Sequence, residues 1–253
     1  MSALRVTLLM LLLAAGARAP LAVAADADAP PPPGAAEHDP IEGFNRKIFW
    51  FNDKLDVYVL EPTARAWRWV MPQRVRKSVD NFFLNLHFPI VAANDLLQGK
   101  WKASASDVGR FGVNTTVGIL GLFDPAAGWG LERHDEDFGQ TLGRWGLGPG
   151  PYLVLPILGP SSPRDTGGLA VDAALSVTPF FIDWYYTLGA RVIDTVNYRA
   201  AILKEVADAK HGALDYYSFV RNAYFQRRAA LVSDNADPTE AADDDLYNPR
   251  LGD

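Results

Sequence analysis

The chain has 253 residues, and its hydrophobic share of 49% and aromatic share of 11% are enough for a folded core. The formal net charge of -6, with no basic block longer than the cluster from Arg74 to Lys77, argues against nucleic acid as a main partner. Cysteine is absent, which excludes disulfides, thiolate metal sites, cysteine nucleophiles and a lipid anchor carried on an N-terminal cysteine.

The N-terminal segment has the layout of a secretory signal. A single charge, Arg5, precedes an apolar core over residues 6–15 and then a stretch of small residues. We predict cleavage next to Ala25, so that residues 1–25 form a signal peptide. An uncleaved membrane anchor is the alternative, but the apolar core is too short to span a bilayer. Residues 26–38 are rich in proline and alanine, which predicts an extended linker.

The folded part is predicted to begin with an aromatic helix. Asp39 is placed to cap it, Pro40 to fill its first position and Glu42 to complete a capping box. Its apolar residues repeat every three or four positions, at Phe44, Ile48, Phe51, Leu55 and Tyr58. Phe49 and Trp50 lie off this stripe, so we expect the helix to contact protein on one side and lipid on the other.

Further helices are predicted between this helix and the centre of the chain. Pro62 opens a short one and Pro72 ends it, while Pro89 is expected to break the next one. The predicted spans that follow Pro72 are 73–88, 90–97 and 100–116.

The segment from Phe111 to Gly130 is predicted to form an apolar hairpin. Its only charge is Asp124, and Asp124-Pro125 is expected to bend it between two short arms. The glycines expected to weaken helix within it are Gly118, Gly121, Gly128 and Gly130.

Exposed hairpin backbone cannot cross a bilayer, because unpaired amide groups in hydrocarbon each cost several kcal/mol. The hairpin can dip into one leaflet if it packs against helices. A buried hairpin in the core of a soluble helical protein is the alternative that composition leaves open.

The second half of the chain is predicted to alternate between irregular and helical segments. Residues 131–137 are rich in charge and predict a solvated or headgroup-facing rim. Residues 138–165 carry many glycines and prolines, which makes them irregular, with one plausible strand at 152–158. The helices expected after this segment span 162–175, 188–207 and 215–232. Residues 234–253 are acidic and predict a disordered tail, so that one domain covers residues 39–233.

Motifs that would indicate catalysis or cofactor binding are missing. The four histidines, His38, His87, His134 and His211, are scattered without metal-ligand spacing. The run from His134 to Asp137 resembles a cation site only superficially. The serines lack a G-x-S-x-G elbow, and the glycines lack both phosphate-binding patterns. We therefore predict a protein that is not an enzyme, with no catalytic residues, no metal site and no cofactor.

Four sequence blocks, in order, resemble the VacJ/MlaA family of outer-membrane phospholipid-asymmetry proteins. They are DPIEGFNRKIFWFND at 39–53, VNTTVGILGLFDPA at 113–126, FGQTLGRWGLGPGPYLVLPILGPSSPRD at 138–165 and VRNAYFQRR at 220–228. The two central blocks are long and unusual in composition, which makes the resemblance specific.

The resemblance implies a mainly α, ring-like helical body with a Gly-rich apolar hairpin and an irregular Gly/Pro-rich segment. Such a body lies in the inner leaflet of a Gram-negative outer membrane, on its periplasmic face, and encloses an amphipathic channel. It removes mislocalised phospholipids from the outer leaflet and passes them to a periplasmic lipid-carrier protein, and trimeric porins are its membrane partners.

The family's hairpin maps to residues 118–130 of this chain. We expect lipid contact at its tip, formed by Ile119, Leu120, Leu122 and Phe123. The bend is expected at Asp124 and Pro125, and the hinges at Gly118, Gly121 and Gly128.

The missing cysteine departs from the family pattern, so anchoring is expected to depend on the aromatic body and on partners. A porin-associated structural adaptor that transports nothing is the alternative function. A periplasmic hydrolase is a second rival, which would need a nucleophile or an acid-base pair in a pocket.

Overall fold

The computed structural model describes residues 39–176 and 183–234. The predicted signal peptide, the linker and all but the first residue of the predicted tail lie outside these described residues. The described part consists of helices and one short β-hairpin. The helices are α1 Glu42–Leu55, α2 Glu61–Val70, α3 Gln73–Leu97, α4 Trp101–Thr116, α5 Pro125–Gly128, α6 Phe138–Arg144, α7 Pro163–Leu175, α8 Trp184–Ala201, α9 Leu203–Gly212 and α10 Tyr216–Val232. The strands are β1 Leu153–Leu155 and β2 Gly159–Ser161.

Helices α1 and α2 form one continuous helical rod, because the π-helical turn Asp56–Leu60 joins them without a break. Such wide turns often occur at functional or strained positions. Here the turn presents Asp56 to two later helices. Arg199 of α8 donates from Nε to this carboxylate over 2.7 Å, and Lys210 of α9 donates from Nζ over 3.1 Å. The turn therefore fixes the rod against the C-terminal half of the chain.

The predicted cap at Asp39 is wrong. Ile41 precedes the first residue of α1, and the buried Asp39 side chain bonds elsewhere. It accepts a hydrogen bond from Asn45 at 2.8 Å, accepts one from the Tyr217 hydroxyl and pairs with Arg221 at 3.4 Å. Two of these partners lie on α10, so Asp39 joins the two ends of the described chain instead of capping a helix.

The predicted break at Pro89 is also wrong, since α3 runs unbroken from Gln73 to Leu97 with Pro89 inside it. A proline removes one helical hydrogen bond. The residues that follow it, Ile90, Val91 and Ala92, are all buried, and this packing holds the helix together. Conversely, the single helix predicted over 188–207 is divided at Ile202, whose φ of -98° and ψ of 23° are not helical.

The β-hairpin lies against α1 and is held by two asparagines of that helix. Asn45 donates to the carbonyl of Tyr152 over 2.9 Å and accepts from the amide of Val154 over 3.0 Å. Two turns further along the same face of α1, Asn52 bonds in the same way to the carbonyl of Leu155 and the amide of Ile157, over 2.9 and 2.8 Å. The two side chains thus satisfy strand groups that an edge would leave unpaired.

Apolar packing is concentrated around this β-hairpin. Tyr152, Val154 and Tyr217 are buried together there, and partly buried residues from α1 and α10 surround them. These surrounding residues are Ile48, Phe49, Tyr224 and Phe225.

Elsewhere the interior is polar. Among the residues that the structure describes, buried polar and charged side chains outnumber buried apolar ones. Asn94 of α3 is an example, because it is fully buried, donates to Asp172 of α7 over 3.0 Å and accepts from Thr141 of α6 over 2.8 Å. Asp172 in turn accepts from the amide of Phe138 over 2.9 Å. Buried hydrogen bonds therefore join these three helices.

Large apolar side chains are instead abundant on the surface. In the described part of the chain they include eight tryptophans and tyrosines: Trp50, Tyr58, Trp69, Trp101, Trp129, Trp145, Tyr185 and Tyr186. Isolated exposed apolar residues are ordinary, but so many aromatic ones indicate contact with an apolar phase or a partner. None of the described helices combines the length and the apolar character needed to cross a bilayer.

Candidate functional site

The central segment folds as a hairpin whose first arm is the end of α4. Gly118, Leu120 and Gly121 donate their amides back to carbonyls at 113–115, over 2.8 to 3.2 Å. The chain then returns along α4, so that Ala126 donates its amide to the side chain of Asn114 over 3.2 Å. The prediction of a reversed apolar hairpin is therefore confirmed in its outline.

The bend was predicted at Asp124-Pro125, but it lies at residues 117–123. Ile119, Leu120 and Gly121 adopt left-handed backbone conformations with φ of 53°, 58° and 89°. Pro125 instead begins the short helix α5, and the side chain of Asp124 caps it by accepting the amide of Ala127. Sequence reasoning took an Asp-Pro pair for a turn where it is a helix start.

The base of the hairpin is fixed by a polar cluster. Arg110 of α4 donates to Asp124 over 2.5 Å and also to the carbonyl of Leu131, and Asn114 donates to Asp124 over 2.9 Å. Burial raises the pKa of Asp124, but the charge of Arg110 and the hydrogen bonds outweigh it, so the net pKa lies below its ordinary value. Asp124 is thus held as an anion that ties the return arm to α4.

The tip of the hairpin is exposed and apolar. Leu120 is 64% exposed and Phe123 is 55% exposed, and Ile119 and Leu122 are exposed as well. This placement contradicts the alternative of a hairpin buried in a soluble core. The left-handed conformation of Ile119 is unfavourable for a β-branched residue. An exposed, strained and apolar tip indicates a function other than packing within the chain.

The three glycines predicted as hinges have different surroundings. A Cβ atom at Gly118 would lie 2.4 Å from the carbonyl oxygen of Phe123, and one at Gly121 would lie 2.5 Å from Cβ of Asn85. A Cβ atom at Gly128 would meet nothing within 4 Å. Gly118 and Gly121 therefore have a packing reason to be glycine, whereas Gly128 has none.

The charged segment 131–137 is only in part the solvated rim that was predicted, because Glu132 and Asp135 are exposed but Glu136 is not. Glu136 is buried and accepts from Lys100 and Gln98, each over 2.7 Å. Asp137 pairs with Arg228 of α10 over 2.5 Å, while Asp135 stays exposed. Glu136 and Asp137 consequently join the polar interior, while Glu132 and Asp135 stay at the surface.

Sequence reasoning missed an acid and histidine cluster next to the hairpin. Asp95 of α3, Asp107 of α4 and His134 place one potential ligand atom each within 4.8 Å of one another. Burial, and then the proximity of Asp107, raise the pKa of Asp95 to about 7. Because the three residues lie far apart in the sequence, only the packing of α3 against α4 could reveal the cluster.

Fold and hairpin together define a class of protein. It is a helical body with a polar interior, many exposed aromatic side chains and an apolar hairpin whose tip side chains are exposed. The MlaA lipoprotein family model matches residues 37–231. The chain belongs to this family.

Relatives from other bacteria are similar to this chain over most of their length. The chain is 38% identical to "Intermembrane phospholipid transport system lipoprotein MlaA" of Escherichia coli K12, over 77% of this chain and 78% of that protein. It is 37% identical to an "Uncharacterized protein" of Rickettsia bellii, over 77% of each chain.

A solved structure described as "Structural basis for maintenance of bacterial outer membrane lipid asymmetry" matches this fold. Its TM-score is 0.69 at 36% identity, and the match covers 77% of this chain and 98% of that chain.

Proposed function

We propose that this protein transports phospholipid in a Gram-negative envelope. It removes phospholipids that are misplaced in the outer leaflet of the outer membrane and passes them to a periplasmic lipid-carrier protein, which maintains lipid asymmetry. The relatives' printed name, and the outer-membrane lipid asymmetry in the description of the solved structure, support this proposal. The protein is proposed to be a transporter and not an enzyme.

The observation that carries the proposal is the exposed hairpin tip beside a polar interior. Phe123 and Leu120 stand outside the body, while Arg110 and Asp124 at the base belong to the buried polar network. A phospholipid offers the same two surfaces, since its acyl chains are apolar and its headgroup is polar. We propose that the tip contacts acyl chains while the polar interior lines a passage for the headgroup.

The protein is proposed to lie in the inner leaflet, on the periplasmic side of the outer membrane. Without a cysteine in its 253 residues, its membrane residence would depend on exposed aromatic side chains such as Trp50 and Trp129. Tryptophan favours the membrane interface, and each buried CH₂ group contributes about 0.8 kcal/mol. A trimeric porin is proposed to cover part of the same aromatic surface.

Movement of the hairpin is proposed to control the passage, with hinges at Gly118, Gly121 and Gly128. The backbone of residues 118–123 is bonded within the hairpin and to the end of α4, and the side chains of Ile119, Leu120, Leu122 and Phe123 are exposed. Such a segment can shift without unfolding the body.

Complementation of Escherichia coli K12 that lacks its own MlaA tests the proposal. Outer-leaflet phospholipid is quantified by its susceptibility to an added phospholipase. The wild-type chain should restore a low outer-leaflet level and Phe123→Glu should not, because a charge at the tip opposes contact with acyl chains.

Leu214→Glu is the matched control, since Leu214 is likewise an exposed apolar residue but lies between α9 and α10, away from the hairpin in the sequence. It should complement like the wild type. If Phe123→Glu complements equally well, the tip is not needed for transport. If it retains porin binding and leaves the lipid level normal, the porin-associated adaptor is favoured instead.

A further inference from the structure

The acid and histidine cluster beside the hairpin has the composition of a cation site. We propose that Asp95, Asp107 and His134 bind one divalent cation of the zinc class. This proposal does not depend on lipid transport.

The geometry supplies three ligands from three separate parts of the chain. The Nδ1 atom of His134 lies 2.9 Å from Oδ2 of Asp107, and the ligand atom of Asp95 lies within 4.8 Å of both. In a tetrahedral zinc site with bonds of about 2.0 Å, ligand atoms lie about 3.3 Å apart. Small side-chain rotations are enough to bring the three atoms to that spacing.

Asp95 points to a missing ligand independently of the cluster's composition. It is 0% exposed, and neither of its carboxylate oxygens has a hydrogen-bond partner among the described residues. A buried carboxylate without partners is strongly unfavourable. Asp107 already pairs with His134, so a cation held in the cluster would supply the partner that Asp95 lacks.

The donor set selects the type of cation. An imidazole nitrogen together with carboxylate oxygens suits zinc and its neighbours, whereas calcium and magnesium prefer oxygen ligands alone. The His134 side chain is 28% exposed, so a cation can enter from its side. One coordination position would remain for water.

A bound cation would fix the segment that leaves the hairpin. Asp95 lies near the end of α3, Asp107 lies within α4, and His134 lies shortly after Leu131, where the return arm ends. The cation would therefore join both helices beside the hairpin to the chain that follows it, in addition to the bond from Arg110 to Leu131.

Zinc titration of the full chain in mild detergent, after removal of metal with a chelator, tests the site. Bound zinc is measured by elemental analysis after gel filtration, and stability by thermal unfolding. We expect about one zinc per chain and a rise in Tm of roughly 5 to 10 °C at a zinc level a hundredfold above Kd. Calcium at the same level should produce a much smaller rise. Hydrogen exchange at residues 131–137 should slow with zinc.

Asp95→Asn and His134→Gln should each lower zinc affinity at least tenfold and abolish the rise in Tm. Asp135→Asn is the control, because it makes the same chemical change as Asp95→Asn at the residue next to His134. The Asp135 side chain is 57% exposed and lies outside the cluster, so the change should leave zinc binding unchanged. If Asp95→Asn fails to fold, the partly exposed His134→Gln decides. The proposal is overturned if the wild type binds no zinc, or if both variants bind it as tightly as the wild type does.

Discussion

The guanidinium of Arg110 lies 2.5 Å from the carboxylate of Asp124, and this contact joins the helix before the hairpin tip to the first residue after the bend. The same guanidinium donates to the carbonyl of Leu131, where the return arm ends. One side chain therefore holds both ends of the return arm on α4.

Replacing Arg110 with methionine should loosen the hairpin. The change removes the charged partner of Asp124, which keeps its bonds from Asn114 and Ala127, and one donor to the carbonyl of Leu131. Hydrogen bonds to charged groups contribute about 1.5 to 3 kcal/mol. We expect the unfolding free energy to fall by about that amount. Hydrogen exchange should quicken at 117–131. Lys102→Met, on the exposed side of the same helix, is the control and should change neither quantity. Unchanged exchange in Arg110→Met would mean that the ion pair does not hold the arm.

Alanine at Gly118 and at Gly128 should separate packing from hinge movement. Gly118→Ala places a methyl group within 2.4 to 2.9 Å of backbone atoms of Phe123 and Asn114, so we expect a loss of about 1 to 3 kcal/mol in unfolding free energy. Gly128→Ala meets no atom within 4 Å and should leave stability within about 0.5 kcal/mol of the wild type.

Phospholipid transfer between vesicles then checks the hinge at Gly128. If Gly128 is a hinge, Gly128→Ala should slow transfer although its stability is unchanged, because alanine restricts the backbone. An unchanged transfer rate would remove Gly128 from the proposed hinges.

Stability in acid should depend on Asp137. Burial raises the pKa of Asp137, but the charge of Arg228 and its hydrogen bonds outweigh this and hold the pKa at about 2. Since this value lies below the ordinary pKa of an aspartate, about 3.9, the stabilisation is present above about pH 4 and is lost as the pH falls toward 2.

Urea unfolding at pH 7, 4, 3 and 2 measures this dependence. Asp137→Asn keeps an N-cap side chain for α6 but removes the charge. The loss of unfolding free energy between pH 7 and pH 2 should therefore be smaller than in the wild type by about 1 to 2 kcal/mol, after allowance for solvent screening. Asp135→Asn should show the same loss of unfolding free energy in acid as the wild type. An equal slope in Asp137→Asn and wild type would show that another group controls acid stability.

The two asparagines of α1 should differ in importance. Asn45 is fully buried, and Asn45→Ala leaves the amide of Val154 and the carbonyl of Tyr152 unpaired, so we expect a loss of about 3 kcal/mol. Asn52 makes equivalent bonds at a partly exposed position, where water can replace the side chain, so Asn52→Ala should cost about 1 kcal/mol. Chemical denaturation compares them, and equal losses would contradict this explanation.

The sequence predicted the start of a helix correctly where the residue before the helix bonds to that helix. The helices predicted over 162–175 and 215–232 agree with α7 and α10, and the structure shows that the side chains of Ser162 and Asp215 cap these two helices. Asp39 has the same local signal, but Tyr217 and Arg221, far along the chain, compete for its carboxylate. Capping patterns do not reveal such distant partners.

The hairpin could be predicted as an apolar segment but not in its geometry. Nothing in the sequence indicates that Ile119 and Leu120 adopt left-handed conformations, because these are among the residues least suited to them. The contact between Asp95 and Asp107 likewise depends on the register of α3 against α4, which periodicity alone does not fix.

The polar interior also affects how the protein responds to temperature. Unfolding would newly expose less apolar surface than usual, because many of the large apolar side chains are already at the surface and many buried ones are polar. Newly hydrated polar groups lower the heat capacity, whereas apolar groups raise it. The heat-capacity increment per residue should therefore fall below the usual value of about 12 to 15 cal/mol/K, and the stability curve should be correspondingly flat. A body of this kind would keep nearly constant stability from cold to warm surroundings.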